Sequence, residues 1–472
     1  MFKDLKPYGD RIDSGAPWLG TIPAHWVVAA ARSVFEEVGS PGHVDEPLLS
    51  VTISRGVLLQ SELLASSGKR DSSNLDRSKY KLVEPGDIAY NKMRAWQGAF
   101  GLSQHRGIVS PAYVVVRPRR DCGLYLHHLL RTPGFAKEAE RWSYGITSDQ
   151  WSLRPEHFKM IALPVPPTAE QAAIVKYLAH AHRRIDRAIA AKRKLITLLE
   201  EQKQAIINQA VTRSIDSRLP LKDSGVPWLG TIPAHWRAAR FKQVVGFQEG
   251  PGIMAADFRD VGIPLLRISC MAGHEVDLRG CNYLDPGAVE ARWSKFRVRA
   301  GDYLLSASGS TGAVKPVGES AVGAVPYTGL IRLWQRTPDV DMEFVRLAMT
   351  AAPFASQIDQ AKSGVGIEHF GPTHLKRMWI ALPPIEEQVA IVADVAAATR
   401  SIDASAVAAG REVELLREFR VRLTSDVVTG QVDVRHLAAT LPELDRKEVV
   451  DVSGTDDDLA DEFDDMMQDI EA

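Results

Sequence analysis

An internal repeat constrains this chain more than any other feature of it. Residues 13–26 read DSGAPWLGTIPAHW and residues 223–236 read DSGVPWLGTIPAHW, identical at 13 of 14 positions. A second pair follows in each half, Pro166 to Asp186 against Pro383 to Asp403, with 12 of 21 positions identical. Register persists to Val211-Thr212 and Asp216 against Val428-Thr429 and Asp433. Such self-similarity marks a duplicated unit and settles the architecture before local structure is considered. Between the anchors the halves share little beyond a strand and turn, VEPGDIAY (83–90) against VRAGDYLL (298–305). Each half therefore reads as a variable globule followed by a repeated segment.

The repeated segments read as long helices. Thr168 and Gln171 have the spacing of a capping box, and no Pro or Gly interrupts the chain from there to Thr212. Alternating steps of four and three give the row Ile174, Leu178, Ala181, Ile185, Ala188, Lys192, Leu195, Leu199, Gln202, Ile206 and Gln209, apolar at eight of eleven positions. The second row, from Ile391 through Val395, Ile402, Leu416, Phe419 and Leu423 to Asp426, is apolar at eight of eleven as well. That period is a coiled-coil seam. Gly410 interrupts the second helix mildly, and Gly430 follows it as a C-cap.

Connectivity fixes the helix direction. A helix of about 40 residues is roughly 60 Å long, whereas a globule of about 150 residues has a radius of gyration near 15 Å. The second globule cannot span the rod, so the helices are expected to pair antiparallel. The expected fold is α/β (α+β): two similar globules at opposite ends of an antiparallel coiled coil, related by a pseudo-two-fold axis. YVVVRP (113–118) and GLIRLW (329–334) read as strands, LYLHHLLRT (124–132) and MEFVRLAMT (342–350) as helices. The boundaries are 1–164 and 217–381 for the globules, 165–216 and 382–436 for the helices, and 437–472 for an acidic, flexible tail.

Composition narrows the class. Across 472 residues 45% are hydrophobic and 25% charged, as in soluble globular proteins, and no apolar run is long enough for a membrane span. A cytoplasmic protein without membrane association is expected. Cys122, Cys270 and Cys281 form no CxxC pair, so neither a disulfide framework nor a Cys-rich zinc site is expected. The net charge of −2 hides an asymmetry, because residues 451–472 hold ten acidic and no basic residues. The remainder carries 57 basic against 49 acidic groups, a balance compatible with a polyanionic partner.

Local signatures of catalysis are missing. There is no GxxxxGK(S/T) phosphate loop, no HxxxH pair and no Asn/Asp-Pro-Pro-aromatic methyltransferase loop, and the one Pro-Asp, Pro338-Asp339, has no D/E-x-K at the spacing a nuclease needs downstream. His127-His128 reads as structural. Instead, loops in both halves carry residues suited to base edges and phosphates. The candidates in the first half are Lys69, Arg70, Arg77, Lys79, Tyr90, Asn91, Lys92, Arg94 and Gln97, and in the second Ser306, Ser308, Ser310, Thr311, Lys315 and Lys362. PWLGTIPAHW reads as a packing plug between globule and helix, with Trp18 and Trp26 in the first half and Trp228 and Trp236 in the second.

The order PWLGxIPxHW, variable region with a PGDI-like turn, LPxPPxxEQxxIV helix, the whole pattern again, and VTGQVDVR (428–435) resembles the specificity subunit of a type I restriction-modification system over residues 11–436. The resemblance implies two target recognition domains, each reading one half of an asymmetric bipartite site in double-stranded DNA. It further implies that the helices set the spacer and dock two methylation subunits, and that restriction (translocase and nuclease) subunits join this core. The chain itself would be non-catalytic and bind no cofactor; S-adenosylmethionine, ATP and Mg2+ would belong to partner subunits. A coiled-coil adaptor that binds proteins alone is the runner-up, separated by a steep fall of DNA affinity with salt, and a divergent nuclease is a third reading, which cutting or methylation of DNA by the purified chain alone would establish.

Overall fold

The computed structural model describes residues 5–53, 55–67, 76–145, 151–216, 218–307, 312–363 and 370–443. The chain divides into two compact units, residues 1–192 with 411–472 and residues 193–410. Each pairs one globule with one stretch of both long helices, Thr168–Arg213 and Ile385–Val428.

Both units are built on the same frame. In the first, the hairpin Arg11–Asp13 with Thr21–Pro23 precedes strand Val27–Ala30, which pairs antiparallel with Ala162–Val165 just before the long helix. In the second, Leu221–Asp223 with Thr231–Pro233 precedes Arg237–Arg240, paired with Trp379–Leu382. Each frame carries a four-stranded antiparallel sheet. The first orders its strands Phe35–Val38, Tyr113–Pro118, Ile88–Asn91, Phe100–Leu102, and the second Val245–Glu249, Leu330–Gln335, Tyr303–Ser306, Val314–Pro316. The strand orders correspond one for one although the sequences do not. Unit two adds a second four-stranded sheet from Phe258–Arg259, Asn282–Leu284, Ile263–Leu266 and Val325–Pro326, over its own small core around Trp293.

The repeated Gly-Asp turn has a packing reason. Asp87 is buried, accepts from the Glu84 amide, and takes Arg117 Nε and Nη2 at 2.6 and 3.0 Å from the central strand. Asp302 does the same with the Arg299 amide and Arg332 Nε, each at 2.5 Å. A buried carboxylate persists only when paired in this way, so Gly-Asp and a strand arginine are retained together while their surroundings vary.

The Glu-Gln pair at each helix start is likewise structural. Gln171 accepts from the Cys122 amide and donates to Asp121 Oδ1 and the Pro166 carbonyl; Gln388 accepts from the Asp341 amide and donates to the Asp339 and Pro383 carbonyls. The expected capping box is absent for this reason. Thr168 already lies inside the helix, and the Gln171 amide ties it to the loop ahead of helix Gly123–Leu130.

The helix segments run antiparallel within each unit. In the first, His182 Nε2 meets Thr424 Oγ1 at 2.8 Å, Asp186 meets Arg420 at 3.0 Å and Lys192 meets Glu412 at 2.6 Å, so numbers rise on one helix as they fall on the other. In the second, Lys203 reaches Asp403 at 2.6 Å. The buried stripe departs from the 3.5-residue row. Ile174, Leu178, Ile185, Ile391, Val395, Ile402 and Leu423 are buried, but Leu195 is 41% and Phe419 36% exposed, and Leu199, Ile206 and Leu416 are half-buried. Buried Ile174, Ile185 and Ile207, with half-buried Ile196 between the last two, are spaced by eleven, a repeat of 3.67 residues per turn. Over such a length the small difference in period carries a heptad row off the interface.

Two further expectations change. Trp26 and Trp236 are buried plugs, but Trp228 is 38% exposed and Trp18 is only partly covered, its Nε1 donating to the Ala162 carbonyl at 3.1 Å. The segment read as a flexible tail from 437 is packed through 443. Helix Arg435–Thr440 buries Ala438, the Pro442 carbonyl bonds His180 and Glu443 pairs with Lys176 at 2.5 Å. The acidic run 451–472 lies outside the described residues.

Candidate nucleic-acid interface

In unit one the strand Ile88–Asn91 delivers the chain into a tight turn over residues 91–99. Asn91 Oδ1 accepts from the Met93 amide at 2.9 Å, the Ala99 amide returns to the Arg94 carbonyl, and Gly98 closes the turn at φ 91°. Trp96 Nε1 donates to the Met93 carbonyl at 2.8 Å, and its ring packs edge-on against Trp151, 5.7 Å between centroids. The Leu153 amide bonds the Lys92 carbonyl at 2.9 Å, stitching the turn to the segment that precedes the frame strand Ala162–Val165. Side chains on such a turn are held before any ligand arrives, which lowers the ordering cost of binding.

Lys92, Arg94 and Gln97 stand half-buried on this turn. Lys81, in the neighbouring strand Lys81–Val83, donates to the Tyr113 carbonyl at 2.7 Å. Burial and the nearby Lys92 ammonium hold the Lys81 amine below its ordinary range. The Glu37 carboxylate nearby pulls the other way. Arg77, half-buried, and Lys79, exposed, lead into the same strand.

Two candidates of this half are corrected. Tyr90 is 0% exposed, stacked on Phe100 at 4.8 Å and tilted on Phe158 at 5.1 Å, and burial pushes its phenol well above the ordinary range. Asn91 is 3% exposed and spends its carbonyl oxygen on the turn. All four residues of their strand are buried, so neither side chain faces solvent. Lys69 and Arg70 lie outside the described residues.

Unit two repeats the construction with different side chains. The Phe370 amide bonds the Ala307 carbonyl at 3.4 Å, the counterpart of the Leu153 to Lys92 bond. At the end of strand Tyr303–Ser306, Ser306 N bonds Ala313 O at 2.9 Å and Gly312 N bonds Ser306 O at 3.0 Å. Ser306 is corrected as a candidate contact, because it is 1% exposed within the sheet. Lys315 is half-buried in strand Val314–Pro316. Ser308, Ser310 and Thr311 lie outside the described residues, as does the side chain of Lys362 at the end of helix Ala352–Ser363.

Sequence reasoning missed the Trp96–Trp151 contact, whose partners lie 55 positions apart with no local spacing rule to join them. His127 and His128 are structural: the Leu102 amide donates to His127 Nδ1 at 3.1 Å, and His128 packs 5.5 Å from His182. Among the described residues no group of three His, Cys, Asp or Glu could hold a metal ion, and no helix is long and apolar enough to cross a membrane.

These features define a duplicated scaffold with the same anchoring bonds at the end of the matching strand in each unit. A chain solved for the structural basis of complex assembly and conformational transition of the type I R-M system shares the fold. The likeness has a TM-score of 0.60 at 15% identity and covers 86% of this chain and 98% of that one. No family model matches the chain. Its curated homologues are specificity subunits of type I restriction enzymes. It is 23% identical over 341 residues to the MjaVIII specificity subunit of Methanocaldococcus jannaschii, spanning 70% of this chain and 76% of that one. It is 21% identical over 396 residues to the EcoKI specificity subunit of Escherichia coli, spanning 79% and 82%.

Proposed function

We propose that this chain is the DNA-reading specificity subunit of a type I restriction-modification complex, each unit reading one half of an asymmetric bipartite site in double-stranded DNA. The observation that carries this reading is the stitched turn. Its anchoring bonds recur at the matching strand end of the second unit, and between those anchors the sequences diverge, Lys92, Arg94 and Gln97 in one half against a Ser-, Gly- and Thr-rich run in the other. A duplicated frame with divergent turns is what two different half-sites require, since base identity is read by side chains while backbone contacts only set register.

On this reading the chain supplies recognition and no chemistry. Methylation subunits, two per chain, bring S-adenosylmethionine, and restriction subunits bring ATP and Mg2+, all in the cytoplasm. The helix pair sets the spacer between half-sites and offers the docking surface for the methylation subunits. The test is expression with a methylation subunit followed by sequencing of modified adenines. A split, asymmetric motif is expected, with DNA affinity falling steeply as salt rises. DNA modification by the purified chain alone, or salt-insensitive binding, would sink the proposal.

A further inference from the structure

The two units close on equivalent residues and differ in what covers them. In unit one the Glu170 carboxylate accepts from the Tyr8 hydroxyl at 2.5 Å and from Trp26 Nε1 at 3.1 Å, and lies 2.7 Å from His25 Nε2. Tyr8 is 5% exposed, with the Arg435 guanidinium 5.1 Å from its ring centroid and its ring edge-on to Trp26 at 5.9 Å. Arg435 is held by Asp433 through Nε at 3.0 Å and Nη2 at 2.7 Å. The Asp433 amide in turn bonds the Lys6 carbonyl at 2.8 Å, so an extended segment ending in a tyrosine plugs the site.

Unit two has every receiving residue of this site, and among the described residues no tyrosine hydrogen-bonds its carboxylate. By the repeat, Glu387 corresponds to Glu170, His235 to His25, Trp236 to Trp26, and Asp216 with Arg218 to Asp433 with Arg435. The contacts recur: His235 Nε2 lies 2.7 Å from Glu387, and Arg218 meets Asp216 at 2.9 and 3.0 Å. Ser214 Oγ donates to Glu387 at 2.6 Å, and the buried Trp236 indole faces the same carboxylate and helps to hold it below the ordinary range. Ser214 Oγ takes the carboxylate oxygen that Tyr8 takes in unit one, and beside it lies an open cleft of about 580 Å³ whose lining includes Asp216, Arg218, Leu219, His235 and Glu387.

Exposure records the missing cover. The Glu387 side chain is 21% exposed against 5% for Glu170, and Arg218 is 88% against 49% for Arg435. Chain connectivity is the cause. The first frame is preceded by residues 5–10, which are free to lie across its site, whereas the second is fed directly by the first long helix.

We infer that the cleft in unit two is a docking site for a tyrosyl side chain on an extended segment of a partner protein. The hydroxyl donates to Glu387, the ring lies beneath Arg218, and the segment follows the course that residues 5–8 take in unit one. The molecule's own plug supplies the template for the ligand. A partner protein rather than a second copy is the occupant, because withdrawing Tyr8 from its own unit would strip the cover from Glu170. The inference concerns assembly and stands apart from the DNA-reading role.

The probe is a fluorescein-labelled peptide with the sequence of residues 5–10, LKPYGD, titrated with the full chain and followed by anisotropy. Saturable binding is expected, weakened at least tenfold by E387Q or by a Y8F change in the peptide. L219W, which fills the cleft, should abolish it, and melting curves confirm that each variant is folded. Failure of the peptide to bind at millimolar concentration, or equal binding to E387Q, overturns the inference. Binding lost in E170Q and kept in E387Q places the peptide in unit one and overturns it as well.

Discussion

The Arg11 guanidinium donates from Nη1 to the Gly430 carbonyl at 2.7 Å, joining the first frame hairpin to the end of the second long helix across 419 positions of sequence. Arg11 Nη2 reaches Gln431 Oε1 at 2.7 Å, and Gln431 Nε2 returns to the Thr21 carbonyl at 3.1 Å. Unit one is therefore closed from both ends of the chain, as the pseudo-symmetry of the repeat requires.

Gly430 is held to glycine twice over. Its φ of 73° is left-handed, and a Cβ there would lie 2.4 Å from Pro23 Cδ and 3.1 Å from Trp26. G430A should destabilise unit one by at least about 2 kcal/mol, combining backbone strain with displacement of the hairpin. Urea unfolding of the variant measures it; a loss under about 0.5 kcal/mol would show that the closure carries little stability. At the end of the first long helix Ser214 takes the left-handed position, φ 65°, where glycine would relieve about 1 kcal/mol of strain, but S214G also removes the Ser214 bond to Glu387, worth about 1.5–3 kcal/mol, so a net loss of stability is expected in the same assay.

Three histidines make unit one acid-sensitive. Burial holds His127 and His182 well below the ordinary range and brings His128 down to about 4, with Arg131 adding to the effect on the first and last named. The folded values lie below the unfolded value of about 6.5, so the unfolded chain takes up protons first as pH falls. Stability is complete above about pH 6.5 and declines from there toward pH 4. Melting temperature should drop between pH 7.5 and 5.0, and H128Q should flatten that drop; identical pH profiles would refute the assignment.

On the proposed reading the turn after the Gly-Asp strand contacts bases. R94A should relax specificity at one position of one half-site, by about 1–3 kcal/mol between preferred and other bases. K92A should weaken binding evenly across sequences and reduce its salt dependence. Methylated-site sequencing reads the first effect and binding isotherms the second. Replacing residues 30–160 with another subunit's region should change one half-site alone, and a change in both would contradict separate reading.

Helix length is expected to set the spacer. Four residues inserted after Leu195, and four after Ala409 on the antiparallel helix, lengthen the pair by about 6 Å. At roughly 3.4 Å per base pair the unspecified spacer should grow by about two base pairs with both half-sites retained. An active variant with an unchanged spacer would show that another element fixes the separation.

The sequence by itself determined the duplication, the two long helices, their antiparallel pairing and the placement of the variable regions. Those properties are written in repeats and in periodic apolar positions, which act locally and are read residue by residue. It also separated the Gly-Asp turn from its surroundings, although the reason, a buried carboxylate seeking Arg117 or Arg332, needed the sheet. Tertiary structure alone decided which polar side chains face outward. Tyr90, Asn91 and Ser306 have the chemistry of base contacts, yet each lies in a strand covered on both faces, where burial follows from packing partners distant in sequence. It also decided the helix interface, since a period of 3.67 residues rather than 3.5 turns Leu195 and Phe419 outward. The difference between the two closing sites was equally invisible, because Glu170 and Glu387 stand in matching motifs. They differ in whether a segment far away in the chain is free to lie across them.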